Sequence, residues 1–166
     1  MSEDDDFSQY VAARWPRLVR SAVLLGCNRV EAEDIAQTTL ERCLLSWARV
    51  QRAEDRDAYV HRILINTLTS SRRRRWTGER PTAQLPDRLH EDGTVRVDDA
   101  DAIGRALQRL TADQRSVVVL RYYAHLSELQ TAAVLGVAPG TVKSRLSRAL
   151  RSLAEDPSLT ELRGTR

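Results

Sequence analysis

The sequence predicts an all-α protein: two small helical domains joined by a flexible linker, the C-terminal one ending in a helix-turn-helix. Three observations carry that expectation. Apolar residues recur at helical spacing over most of the 166 residues, and no run alternates as a strand would. One stretch, 77–98, breaks the period with Gly78, Pro81, Pro86 and Gly93, and reads as a linker. Residues 126–153 hold two short helical patterns on either side of Gly136.

In the first domain, 7–76, Phe7, Val11, Trp15 and Leu18 mark a helix that Gly26 ends, with Pro16 as a kink or restart within it. A second helix runs from about Glu31 to Trp47, its apolar markers being Ile35, Leu40, Leu44 and Trp47. Val50 to Arg56 reads as a short polar loop. A third helix runs from about Asp57 to Arg74, with Val60, Ile63, Leu64 and Leu68 inward. The second domain, 99–155, opens with Ile103, Leu107 and Leu110 on one stripe. Thr111 and Gln114 then have capping-box spacing, and Val117, Val118 and Leu120 follow.

The stretch from Leu126 to Leu153 is the most specific. Ser127 and Gln130 form a second capping box, and Leu129, Ala132 and Ala133 make an i, i+3, i+4 face. Gly136 suits a left-handed helix end, and Pro139 suits the first turn of the next helix. Val142, Leu146, Leu150 and Leu153 are expected to face the core. Thr141, Lys143, Ser144, Arg145, Ser147, Arg148 and Arg151 are then left outward, and no acid interrupts them. Hydroxyls and long basic side chains on one helical face suit phosphates and base edges in a major groove. A solvated basic helix would share the charge but has no need of the cap, turn and proline.

Charge is distributed in blocks. The formal net charge is only +3, with a pI of about 9.2. Glu3 to Asp6 is acidic, Arg72 to Arg75 is a run of four arginines, 79–101 is acid-rich, and the last long helix is basic. Such blocks suit basic surfaces that meet a polyanion. Lys143 is the only lysine; arginine elsewhere favours bidentate phosphate and guanine contacts.

Several classes are excluded. The run Ala22–Leu25 is too short to span a bilayer and no signal-peptide core precedes it, so a cytoplasmic protein without membrane insertion is expected. Cys27 and Cys43 lack paired metal-ligand spacing and are expected to be buried core residues. His61, His90 and His125 are scattered and suggest no metal site. No phosphate-binding glycine loop or nucleophile–base pair is present, so neither an enzyme nor a cofactor is expected.

Three segments then resemble one family. Ala32-Glu33-Asp34-Ile35-Ala36-Gln37-Thr38-Thr39-Leu40 resembles a polymerase-binding helix, and Tyr59-Val60-His61-Arg62-Ile63-Leu64-Ile65-Asn66 a promoter-melting helix. Gly140-Thr141-Val142-Lys143-Ser144-Arg145-Leu146 resembles a fourth-domain signature. In that order, with a linker between the last two, they resemble the extracytoplasmic-function (group IV, sigma-70 family) RNA polymerase sigma factors, over nearly the whole chain. The opening Ala12-Ala13-Arg14-Trp15-Pro16 is similar to the actinobacterial SigE-like branch.

The resemblance implies partners and sites. The partners are core RNA polymerase (the clamp of its largest subunit and the flap of its second-largest), promoter DNA and an anti-sigma factor. Asp34 and Gln37 would face the clamp, while Leu40 and Trp47 belong to the core. Tyr59, Arg62 and Asn66 share one face, and would hold the single-stranded −10 element by stacking, phosphate contact and amide hydrogen bonds. Gln51 and Arg52 would shape the pocket, and Arg72, Arg73, Arg74 and Arg75 would neutralise the flanking backbone. Thr141, Lys143, Ser144, Ser147 and Arg148 would read the −35 element, with Arg145 and Arg151 on phosphates. The chain departs from the family where it has Tyr59 for a frequent tryptophan, and Gln130 and Thr131 for a glutamate and a large aliphatic residue. The competing reading is a stand-alone helix-turn-helix regulator of duplex DNA; a response regulator would need an α/β receiver domain, for which no strand pattern exists.

Overall fold

The structure, a computed structural model, describes residues 3–78 and 97–163. It comprises α1 (Glu3–Leu24), α2 (Arg29–Leu45), α3 (Trp47–Arg52), α4 (Arg56–Gly78), α5 (Val97–Arg109) and α6 (Ala112–Val118). A π turn (Val119–Tyr123), α7 (Glu128–Leu135), α8 (Pro139–Ala154) and α9 (Pro157–Arg163) complete it, with no strand among the described residues. Most of the expected linker, 79–96, lies outside the described residues.

In the N-terminal module α1 runs through Pro16 without a break. It stops before Gly26, whose φ of 105° is left-handed. A Cβ there would also come within 2.7 Å of the Arg115 guanidinium, which would have to shift. Asn28 then caps α2 reciprocally: its side chain accepts from the Glu31 N–H at 2.9 Å, and the Glu31 carboxylate accepts from the Asn28 N–H at 3.1 Å. The helix therefore starts before Glu31.

Two expectations in this module are corrected. The loop expected over Val50–Arg56 is largely helix, because α3 occupies Trp47–Arg52. Trp47 and Val50, one turn apart, are both buried and fasten α3 to the core, which leaves only 53–55 as a bend. Phe7 packs edge-on against Trp47 with ring centroids 5.0 Å apart. Leu44 is exposed rather than inward, because the small Cys43 takes the core position at that turn of α2.

The C-terminal module is corrected in the same sense. On α5 the inner face is Ala102, Ala106, Leu107 and Leu110, and Ile103 is partly exposed. On α7 it is Thr131, Ala132 and Val134, while Leu129 is 70% exposed and Ala133 also faces out. On α8 Ala149 replaces Leu150 against the core. On α5 and α8 a small residue beside the expected large one, Ala102 and Ala149, holds the buried position. Between α6 and α7 the chain makes a π turn: the Ala124 N–H donates to the Val119 carbonyl at 3.0 Å, and His125 follows with a left-handed φ of 56°.

The two modules pack on each other. The main core joins Leu18, Leu25, Ile35, Leu64 and Leu68 to Leu107, Leu110, Val118, Val119 and Ala149. A second cluster of Leu120, Ala124, Leu126 and Val134 receives Ala58 and Ile65 of α4, so that α7 lies on α4. A third, Val117, Ala132 and Val142, holds the helix-turn-helix together. Polar contacts cross the same seam. Gln130 Nε2 donates to the Asp55 carboxylate. Arg72 and Arg115, from different modules, both donate to the Leu25 carbonyl, at 2.8 and 3.3 Å.

Cys27 and Cys43 are buried and free, as expected. Burial pushes the Cys43 thiol up to about 11. Burial also raises Cys27, against the opposing charge of Arg72. Neither is a ready thiolate near neutral pH.

Candidate nucleic-acid interface

Local sequence builds the helix-turn-helix as its spacing predicts. Ser127 accepts from the Gln130 N–H at 3.1 Å, and the Gln130 side chain accepts from the Ser127 N–H at 2.7 Å. Gly136 ends α7 at φ 65°, ψ 36°, and Pro139 opens α8. The Thr111–Gln114 box forms in the same way at the start of α6.

On α8, Lys143, Ser144, Ser147, Arg148 and Arg151 are exposed along a face without an acid. Thr141 is half-buried near the helix start, and the Ser144 hydroxyl donates to the Thr141 carbonyl at 3.1 Å. Arg145 is the exception. It is half-buried and ion-paired to Asp113 of α6 at 3.1 Å, which ties the recognition helix to the body of the module. It is a phosphate contact only if that pair opens.

The second basic surface lies on α4. Arg62 and Asn66 are exposed one turn apart, and Tyr59 is half-buried against the main core. Arg52 is exposed at the end of α3, while Gln51 donates to Asp6 at 2.7 Å and so is held inward by α1. The four arginines divide. Arg72 is spent on the Leu25 carbonyl and Arg75 pairs with Glu31, both one turn apart on the side facing the body. Arg73 and Arg74 point outward and are exposed. A run of like charge in a helix cannot face one way, and sequence alone does not say which members face in.

The third surface lies on α2. Asp34 and Gln37 are exposed, and Gln37 donates to Glu41 at 3.0 Å. Leu45, 88% exposed, continues the same stripe beyond Glu41. Sequence reasoning missed Glu41 and Leu45. The run Cys43-Leu44-Leu45 was the available signal, since three successive residues span about 200° of a helix, more than one buried stripe covers.

Among the described residues no group of His, Cys, Asp and Glu could hold a metal ion, and no helix is long and apolar enough to cross a membrane. The arrangement is thus a two-module helical protein with a recognition helix, a second basic helix and an acidic-apolar stripe, three surfaces suited to macromolecules.

The comparisons with known proteins give that arrangement a family. Residues 11–77 match the model of sigma-70 region 2, and residues 100–153 that of sigma-70 region 4. The RNA polymerase sigma-E factor of Streptomyces coelicolor is 42% identical over 156 residues, covering 94% of this chain and 88% of that protein. The ECF RNA polymerase sigma factor SigM of Mycobacterium tuberculosis is 37% identical, covering 89% and 75%. Among solved structures, the sigma factor RpoE of Bartonella quintana, in complex with the anti-sigma factor NepR, matches with a TM-score of 0.75 and 30% identity, over 90% of this chain and 95% of that one. The chain belongs to the sigma-70 family, and within it to the extracytoplasmic-function group of RNA polymerase sigma factors, which direct transcription initiation.

Proposed function

We propose the following division of labour. Residues 7–76 form the unit that binds core polymerase and the −10 element, 77–98 the tether, and 99–155 the unit that binds the −35 element. Asp34 and Gln37, joined by Glu41 and Leu45, dock on the clamp of the largest polymerase subunit, and the C-terminal module reaches the flap of the second-largest. Tyr59, Arg62 and Asn66, with Arg52, Arg73 and Arg74, hold the non-template strand of the −10 element. Arg72 joins them only when released from Leu25.

Thr141, Lys143, Ser144, Ser147 and Arg148 read the −35 element. Arg151 contacts phosphate, as does Arg145 once freed from Asp113. The work is binding and strand capture in the cytoplasm, without bond-making by the protein itself. An anti-sigma factor opposes it; the Bartonella quintana relative is itself in complex with one, NepR.

The observation that carries this reading is the pair of exposed, acid-free faces on α4 and α8. The elements they serve lie roughly 85 Å apart at ~3.4 Å per base pair, whereas α7 rests on α4. Engaging both therefore requires the modules to part. The test is transcription of a fragment library of the source genome by core polymerase with and without the protein. Discrete protein-dependent transcripts with common motifs upstream of their starts are expected. Specific duplex binding without polymerase co-elution would instead establish a stand-alone regulator.

A further inference from the structure

The exposed face of α4 does not end at Asn66. Arg62, Asn66, Thr69, Arg73 and Trp76 follow one another at four, three, four and three residues, which keeps them within one narrow stripe of the helix. All five are exposed. Trp76 is 92% exposed, the most exposed of the large apolar side chains among the described residues. The indole therefore offers one of the largest flat apolar faces a side chain has, open to a partner.

The surroundings say which occupant fits. After Asp57, α4 carries no acid as far as Gly78, and Arg73 and Arg74, both exposed, lie within one turn before the indole. A flat aromatic beside guanidinium groups, on a stripe that already offers an amide and a cation, is the combination that grips a nucleic-acid strand: charge follows the phosphates and the ring stacks on a base. A protein partner at this point would have to be acidic and apolar together. DNA needs only its phosphates and the face of a base.

We propose that Trp76 is a base-stacking residue at the upstream edge of the −10 element. This rests on the reading of α4 as the −10 helix. The chain order sets the edge, because the module that reads the upstream −35 element follows α4 in the sequence. The length agrees, since Arg62 to Trp76 spans about 21 Å at ~1.5 Å per residue, or about six nucleotides at ~3.4 Å each. Trp76 thus meets the duplex where strand separation begins, and stabilises the first unstacked base there. It gives this chain an aromatic plane in addition to the half-buried Tyr59.

The test uses holoenzyme assembled from core polymerase and the full chain, as wild type, W76A and W76F. The promoter is one defined by the mapped transcripts, with single 2-aminopurine substitutions across the −10 element and its upstream flank. Wild type should quench 2-aminopurine at one upstream position. W76A should abolish that quenching and lower open-complex formation at sub-saturating holoenzyme roughly 5- to 150-fold, with unchanged binding to core polymerase. W76F should retain part of both effects. Unchanged quenching and unchanged open-complex formation in W76A would overturn the proposal. A loss of core binding matching the loss of open complexes would do so too, by making Trp76 a polymerase contact. Absence of promoter-dependent transcripts with the wild-type protein would refute the sigma reading itself, before any variant is compared.

Discussion

The two helices proposed to face DNA, α4 and α8, use their basic residues differently. Along α8 Arg145 is ion-paired to the module, and the polar face from Lys143 to Arg151 stands open to solvent. Along α4 the basic residues are shared with the rest of the fold: Arg72 binds Leu25 and Arg75 binds Glu31, while Ala58 and Ile65 lie under the second module. The recognition helix is ready as folded. On the proposed reading α4 is the −10 helix, and it is partly engaged by the module that would have to leave it. One protein thus separates a rigid reading surface from a surface whose availability depends on domain packing.

The largest expected effect falls on the open face. Arg148→Ala removes an exposed guanidinium from α8 and should lower transcription from the cognate promoter roughly 5- to 150-fold, the range of one good bidentate base contact. Core polymerase binding should stay as in wild type. Equal losses in transcription and in co-elution would place Arg148 on polymerase and erase the contrast between the helices.

The next prediction breaks the seam itself. Ala58 of α4 packs against the cluster of Leu120, Ala124, Leu126 and Val134. Ala58→Glu forces a charge and extra volume into that contact and should weaken the closed packing by about 1–3 kcal/mol. Small-angle scattering should report a larger radius of gyration, with helix content kept by circular dichroism. An unchanged radius would mean that the modules do not need this contact to stay together.

Thr131 sharpens the comparison from inside α7. It is fully buried, and its hydroxyl has no hydrogen-bond partner among the described residues. An orphaned buried hydroxyl costs about 1–3 kcal/mol. Thr131→Val, nearly the same shape, should therefore raise the melting temperature by a few degrees. A lower Tm would show that the hydroxyl has a partner in solution. The substitution also restores the aliphatic character expected of the family at this position.

The smallest effect is on the N-terminal module alone. His61 is buried, with Nδ1–H donating to the Asp57 carbonyl at 2.7 Å and Nε2 facing the Ser21 hydroxyl at 3.4 Å. Burial holds its pKa below the ordinary histidine value, helped by Arg17 and Arg14 and opposed by the Asp57 backbone and charge. The neutral ring is thus favoured in the fold. This stability is fully present above the unfolded pKa, near 6.5, and is lost as pH falls from there through the lower folded value. Melting temperatures should drop as pH falls below about 6.5, and His61→Gln should flatten that slope. A slope that is the same in both proteins would assign the acid sensitivity to other groups.

Much of this protein was determined by local sequence. The capping boxes at Thr111 and Ser127, the left-handed Gly136 and the leading Pro139 depend on contacts within a few residues, and the structure realises each one. The three family-like segments likewise fall on helices, α2, α4 and α8, and most of their expected site side chains are exposed. Tertiary structure decided what periodicity cannot express. Cys43 and Ala149 hold core positions where Leu44 and Leu150 were expected, and Leu129 is left exposed while Ala132 of the same expected face is buried. The helical state of 47–52 came from burying Trp47 and Val50 together, against the polar composition around them. The partition of Arg72 and Arg75 from Arg73 and Arg74 needed a carbonyl and a carboxylate from elsewhere in the chain. Contacts between residues far apart in sequence decide which of several permissible faces turns inward; the chain's own period supplies only the set of choices.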